Sequence, residues 1–550
     1  MGQSVSQGST SNISSENDAV NEKVSLFYQH PDEILPRLPN LVFEQNMKQF
    51  KEASNVKFEE LIPILGLDPA LDPRVCAIMN NIFSRLSQFA MVNKQTSLVD
   101  YHSFKMACLI LAFPNLCGKL LSTHNQDYVK LLFMSLVPID PDHENEKSST
   151  PFSEKSGTVS TTQSIDELAL PSVSASIILL FLTFITSISH FCLLKCKISP
   201  TYMHDHWVRY QRGPAFNILR TINPNITSQN ISKESVTLEQ FRFALQDEFP
   251  KLLTSLNLLF HAFFELKHTS LPPAVTLQES TLFNLELRSQ LATFMSSDFV
   301  YANIIKLYSG KDVGFSMRAI QAKVLKWNAP TLMIIKGQLL SDEDKNPRYK
   351  KFITEEYPKL RGSHQGGDKE VVTYVVYIDE PWKVTNKNLF ANGNTQIIEI
   401  QPTQTVHKAT GSGSLGNVYF NVMGGGIGVG NSLQPTIKNS NKKYHPGNVS
   451  LTIDSGLEFG CFRNVGYGGL FDPGSSYSSG NEQERRFIIQ GMEIWGCGGE
   501  EVLKEQLEAW QWDENESKRR QKINLKSVGE DRALLEMAGL VGQNQSGGSM

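Results

Sequence analysis

The sequence predicts an α+β chain: a mostly helical, EF-hand-like first half without calcium ligands, then an antiparallel β-sandwich with edge helices and a C-terminal helical tail. Three observations carry this. Phe43, Met47 and Phe50, and then Phe58, Leu61, Ile62 and Leu65, recur at helical spacing. Short runs rich in β-branched and aromatic residues follow in the second half: Thr331 to Ile335, Val371 to Ile378, Gln396 to Ile400, Asn417 to Val422, Val449 to Ile453 and Phe487 to Trp495. Between the two parts, Met317, Ile320, Val324 and Leu325 make the apolar stripe of a helix placed to cover one sheet face.

At 550 residues the chain exceeds one ordinary domain. Residues 1–26 read as a polar N-terminus, 27–272 as the helical region with an exposed loop at 140–168, 273–498 as the β domain, and 499–550 as a helix with a tail. A hydrophobic share of 40% with 20% charged residues is that of a soluble globular protein. The formal charge of −4 gives no electrostatic footprint for nucleic acid. Seven cysteines, an odd number with no C-x-x-C pair, suit a reducing compartment, so the protein reads as cytosolic.

Met1-Gly2-Gln3-Ser4-Val5-Ser6 matches the acceptor pattern for N-myristoylation on Gly2, and the polar residues after it would keep Gly2 open to a transferase. The bland alternative is an ordinary disordered start. One myristoyl chain binds membranes only marginally, with an association constant on the order of 10⁴ M⁻¹, so residence needs a second signal. Near the anchor only Lys23 stands against Glu16, Asp18 and Glu22, and no cysteine precedes Cys76. A membrane protein partner is the expected second signal.

Leu98 to Phe104 leads into Met106 to Phe113, and Val236 to Phe241 leads into Phe243 to Phe264; each resembles the second half of an EF-hand unit. The acidic cluster Asp140, Asp142, Glu144 and Glu146 has Asn145 where the sixth loop position needs glycine, and Pro151 where glutamate should close the loop. The expectation is therefore no calcium. Val173 to Leu194 is the most hydrophobic run, but its serines and threonines suit a buried helix better than a membrane span. His204-Asp205-His206 offers metal-ligand types that point apart on a helix, so no metal is expected.

Gly411-Ser412-Gly413-Ser414-Leu415-Gly416 fits G-x-G-x-x-G, yet it opens a strand where a dinucleotide fingerprint opens a helix. No cofactor is expected, and no catalytic residue is assigned. The Gly424 to Gly430 run reads as a tight bend where another backbone approaches, with an anion cradle as the lesser reading. Cys461 and Cys497 read as buried thiols. Glu493 is either inward and hydrogen-bonded or on the wet face, and a structural carboxylate is favoured over a general acid or base. Gly491, inside the strand pattern, marks a bulge or a close backbone approach. After the domain, Val502, Leu503, Leu507 and Trp510 form a stripe beside Glu501, Lys504, Glu505 and Glu508. Such a helix packs back on its domain or docks in a partner's groove, and packing back is expected.

The stretch from Cys461 and Phe462 through Gly466, Gly468, Gly469 and Pro473 to Met492-Glu493-Ile494-Trp495 resembles the C-terminal signature of the TLDc domain family. Leu307-Tyr308-Ser309 with Gly314-Phe315-Ser316 resembles the family's start, and Glu380-Pro381-Trp382 its exposed Pro-Trp turn. Gly424-Gly425-Gly426, followed by the strand ending on Asp454, resembles its glycine loop, with a polar insertion near Asn439 to Lys443 in between. The first residues add a similarity to the fungal restriction of telomere capping group. This resemblance implies a β-sandwich with edge helices. It further implies a non-enzymatic peripheral regulator that binds the cytosolic sector of the vacuolar proton-pumping ATPase and alters its assembly, in favour of disassembly. The alternative it carries is a factor or enzyme of oxidative-stress defence. A link to telomere capping would be indirect.

Overall fold

In the computed structural model the described residues are 72–87, 101–114, 128–137, 172–193, 207–261, 278–301, 304–363, 365, 370–385, 388–391, 393–411, 416–432, 443–474, 482–498 and 500–537. Gly2, the acidic cluster at 140–146 with its loop, the His204–His206 run and the helical spacings at 43–65 lie outside them.

The first half is helical: α1 (Pro73–Ser87), α2 (Tyr101–Ala112), α3 (Tyr128–Ser135), α4 (Ala175–Leu193), α5 (Trp207–Ile222), α6 (Leu238–Asp247) and α7 (Thr254–His261). They share one apolar core, with Met79, Leu132, Ile178, Leu182, Ile218, Phe241 and Leu256 fully out of water. Helix α4 is long and apolar enough to cross a membrane, but 67% of its apolar window is buried within the fold. Thr183 and Ser187 are satisfied inside the helix, donating to the Leu179 and Thr183 carbonyls at 2.6 Å each, while Ser176 donates to the Ile231 carbonyl at 3.3 Å and Ser189 lies 3.5 Å from the Tyr301 hydroxyl. Two three-residue strands, β1 (Ser172–Ser174) and β2 (Ser235–Thr237), pair antiparallel with Val173 opposite Val236, and each runs straight into a helix. Thr237 and Gln240 close a reciprocal capping box at the start of α6. The helix expected over 243–264 is in fact two, because Pro250 interrupts it between α6 and α7.

Short helices α8 (Leu285–Leu291) and α9 (Ser297–Val300) lead to strand β3 (Ile305–Ser309), α10 (Gly310–Val313), α11 (Met317–Val324) and β4 (Thr331–Leu339). Helix α12 (Pro347–Lys351) runs into a π turn at Phe352–Glu356. Then come β5 (Val371–Ile378), β6 (Gln396–Gln401), β7 (Thr405–Lys408), β8 (Val418–Asn421), β9 (Gly426–Val429), β10 (Val449–Ile453), β11 (Phe459–Asn464), β12 (Gln483–Gly496) and the long helix α13 (Glu500–Met537).

All pairings are antiparallel along the order β7-β6-β5-β4-β12-β11-β10-β9-β8, with β3 added beside β12. The two layers of the sandwich are thus halves of one sheet that share β12. Met333, Ile335, Val372 and Val376 from one half meet Val429, Leu451, Ile453 and Phe462 from the other in a common core. The outer face of the β4–β6 half, through Leu332, Ile334, Val375 and Ile398, is covered by Leu287, Leu291 and Val300. The helical region closes the β7 edge. There the Val406 amide donates to the Glu248 carboxylate at 2.8 Å, and Thr221 exchanges hydrogen bonds with the Gln404 backbone at 2.7 and 2.8 Å.

The bulge at Gly491 sets which side chains face where. Ile489 pairs with Gly337 and Gly491 with Lys336, so Gln490 is the extra residue. One extra residue shifts the alternation by one. Phe487 and Ile489 before it, and Met492 and Ile494 after it, therefore all enter the inner core, while Glu493 and Trp495 turn outward under the helices.

Candidate functional site along strand β12

At the C-terminal end of β12, Glu493 is buried and gathered by hydroxyls and an indole. Ser280 Oγ donates to its Oε2 at 2.5 Å, Trp495 Nε1 to the same oxygen at 3.0 Å, and Thr281 Oγ1 to Oε1 at 3.4 Å. Ser280 Oγ in turn accepts the amides of Leu282 and Phe283 at 3.1 and 2.6 Å. The carboxylate therefore pins the segment that leads into α8. Above it, the Arg288 guanidinium lies 3.8 Å over the Phe283 ring and 5.6 Å from Trp495, donating to the Phe283 and Val300 carbonyls. Burial brings Arg288 down to about 10, against the pull of Tyr301, Glu493 and Cys497.

The N-terminal end of β12 carries Glu484, Arg485 and Arg486, which alternate between the two faces. Arg485 points inward and binds Glu399 of β6, whose other oxygen lies 3.3 Å from His407 Nε2; His407 Nδ1 faces the Asp472 carbonyl at 3.0 Å. Glu484 and Arg486 point outward. Arg486 is fully buried and bridges Glu484 at 2.6 Å and Asp342 at 2.5 Å; Arg463 meets Glu484 at 2.5 Å and Lys359 meets Asp342 at 2.6 Å. The sequence reading missed this group, because a run of charges reads as solvated surface. A signal was present: Glu484-Arg485-Arg486 directly precedes an apolar strand with no turn residue between them, so the strand continues through it.

These carboxylates give a signed pH dependence. Burial alone would raise Glu399, but the Arg485 charge and the His407 contact outweigh it and hold Glu399 below its ordinary 4.5. Asp342, pushed up by burial and pulled down more strongly by Lys359 and Arg486, is likewise held below 3.8. Carboxylates lowered on folding stabilise the chain above their unfolded values and lose that contribution as pH falls through their folded ones. The melting temperature should thus hold steady down to about pH 5 and then fall. In Glu399→Gln that acid-side fall should be shallower, as read by thermal unfolding across pH.

The remaining motif positions are also fixed inside the domain. Tyr308 donates to the Gly314 carbonyl at 2.8 Å, and Ser309 and Ser316 cap α10 and α11. Gly314, at φ 80°, closes the turn between those helices. Trp382 corrects the expectation of an exposed Pro-Trp turn: it is only 3% exposed, donates to Thr331 Oγ1 at 2.8 Å and packs edge-on against Phe420. Gly424 and Gly425 lie in the turn before β9, and Gly426 begins that strand. Asp454 accepts the amides of Gly456, Glu458 and Phe459 at 3.0, 2.7 and 2.8 Å, closing the β10–β11 turn. Cys461 and Cys497 are fully buried, and burial pushes both thiols well up, away from the reactive thiolate. Chemically, the arrangement is a set of internal struts.

The TLDc domain profile matches residues 276–498. Over 498 residues the chain is 40% identical to "Restriction of telomere capping protein 5" of Saccharomyces cerevisiae, covering 86% of each chain. It is 38% identical to the proteins of the same name from Kluyveromyces lactis, over 100% of both chains, and from Lachancea thermotolerans, over 100% of this chain and 98% of the other. The match runs through the helical region as well as the sheet. With β3, the Gly426 strand and the Glu493-Ile494-Trp495 end of β12 in place, the chain belongs to the restriction of telomere capping protein 5 family and carries its TLDc domain at residues 276–498.

Proposed function

We propose that this chain is a non-enzymatic, peripheral regulator on the cytosolic face of the vacuole membrane. In this reading it is held there by myristate on Gly2 and binds the cytosolic sector of the proton-pumping ATPase, shifting assembly toward disassembly. The observation that carries the reading is the fate of the motif side chains. Glu493, Trp382, Asp454, Cys461 and Trp495 are buried within the fold, and four of them are bound to named internal partners. What they build for other molecules is a surface. Binding in place of turnover fits such a design, and the family resemblance supplies the pump as partner.

The helical region fits the same reading as an EF-hand-like scaffold without calcium. What supports it is the β1–β2 pairing, in which each strand opens a helix, as in paired EF-hand loops. The test is microscopy of the tagged chain together with the share of the pump's cytosolic sector found on purified vacuoles. Loss of the rim signal in Gly2→Ala and in cells lacking a cytosolic pump subunit is expected, with more sector on membranes when the chain is deleted. A rim signal indifferent to the pump subunit would overturn the partner.

A further inference from the structure

Helix α13 spans 38 residues, about 57 Å at 1.5 Å per residue. Among the described side chains, it is the first turns that rest on the domain: Val502, Leu503 and Trp510 pack there, Trp510 meets Trp327 edge-on at 5.6 Å, and Trp510 Nε1 donates to the Lys326 carbonyl at 3.3 Å. Packing back, as expected from sequence, thus holds for the first third. Beyond Trp510 the helix continues to Met537, and its charge is segregated. Residues 500–516 hold seven acidic side chains and one lysine, whereas 518–526 hold five basic side chains and no acid. Trp512 is 67% exposed, and Lys518, Arg519 and Arg520 are 62%, 75% and 75% exposed. Their recorded partners are Glu514 and Glu516 on the same helix, at 2.7 to 3.5 Å, exchanges in open water that another anion displaces at little cost.

We propose that the basic block opened by Lys518, Arg519 and Arg520 is a second membrane contact, lying against anionic lipid headgroups. The proposal rests on the peripheral-membrane reading above. A single acyl chain leaves residence marginal, and a basic patch adds to it beside the pump contact without replacing it; the residues around Gly2 do not supply one. Clusters of four to eight Lys and Arg on a helix are the lipid-binding pattern, and the exposed Trp512 indole, about 9 Å before Lys518 along the helix, suits the headgroup level. The acidic turns nearest the domain would be repelled by the same surface. That charge order directs the far part of the helix to the membrane and holds the domain off it, with Lys526 about 24 Å past the last domain contact. An acidic protein or a second copy of the chain would also meet the basic block, but neither is called for by an acyl chain that leaves residence on lipid marginal.

The experiment is sedimentation of full-length chain, without myristate, with vesicles of phosphatidylcholine alone or with a third phosphatidylserine. No pump is present, so a failed pump reading leaves the result standing, and a failed result leaves the pump reading to its own test. Binding to the anionic vesicles only, lost at 1 M salt, is expected. Lys518→Glu/Arg519→Glu/Arg520→Glu should weaken it on the order of a hundredfold, and Arg519→Lys/Arg520→Lys should keep it. Equal binding to neutral vesicles, no binding, survival of binding in the charge-reversed chain, or loss in the lysine variant would each overturn the proposal. So would a concentration-dependent dimer that the charge reversal dissolves while vesicles capture nothing.

Discussion

Arg486→Ala lowers the stability of the folded chain by about 3–5 kcal/mol, the cost of removing one partner from a buried ion network. The guanidinium is wholly out of water and holds two carboxylates of different elements, Glu484 of β12 and Asp342 of the loop after β4. Its main chain is held too: the Gln365 side chain receives the Arg486 amide at 2.8 Å and donates to its carbonyl at 2.6 Å. Truncation leaves Glu484 dependent on Arg463 and the Leu360 amide, and opens a void beside Tyr349. Arg486→Lys keeps the charge but cannot fork between two carboxylates, so an intermediate loss is expected. Denaturant unfolding of the single variants Arg486→Ala and Glu484→Ala and of the double variant would measure the coupling. A double variant less destabilised than the sum of the singles places the pair in one network. A loss below about 1 kcal/mol for Arg486→Ala would mean that the cluster behaves as a solvated surface pair.

How far the molecule was legible in its sequence follows from which contacts are local. The C-terminal half of β12 was readable because its alternation and the glycine that interrupts it are both written within ten residues, and the bulge falls at Gln490, directly before Gly491. Strand β9 was not, because Gly426-Ile427-Gly428-Val429 carries two glycines where a strand ordinarily carries side chains. The reason is local to the fold and distant in sequence: a Cβ at Gly428 would meet the Tyr419 ring at 2.2 Å. Trp382 was placed on the surface by the family resemblance alone, whereas its partners Thr331 and Phe420 lie 51 and 38 residues away. The same holds for Arg485 and for the second contact of Arg486, whose carboxylates sit at 399 and 342. Periodicity reports which face a residue takes. It does not report that a charge on that face has met its counter-charge, and along β12 that meeting decides the site.

The second large effect falls on the glycine loop. Gly426 and Gly424 both sit at positive φ, 70° and 106°, so alanine at either meets the left-handed penalty of about 1–2 kcal/mol. They differ in what surrounds them. A Cβ on Gly424 has nothing within 4 Å, while one on Gly426 would stand 2.1 Å from the Ile453 carbonyl oxygen and 2.9 Å from the Asp454 carbonyl carbon. That carbonyl belongs to the strand paired with β9, so relief requires β9 and β10 to separate where Ile453 faces Ile427. Asp454 resists the move, because its side chain fixes three amides of the adjoining turn. Gly426→Ala should therefore cost roughly 3 kcal/mol or more, and Gly424→Ala only the backbone share. Hydrogen exchange would separate strain from displacement. In Gly426→Ala the amides of 427–429 and 451–453 should lose protection together, and in Gly424→Ala they should keep it. Equal losses in the two variants would show that φ alone, and not the close backbone approach, requires glycine at the start of β9.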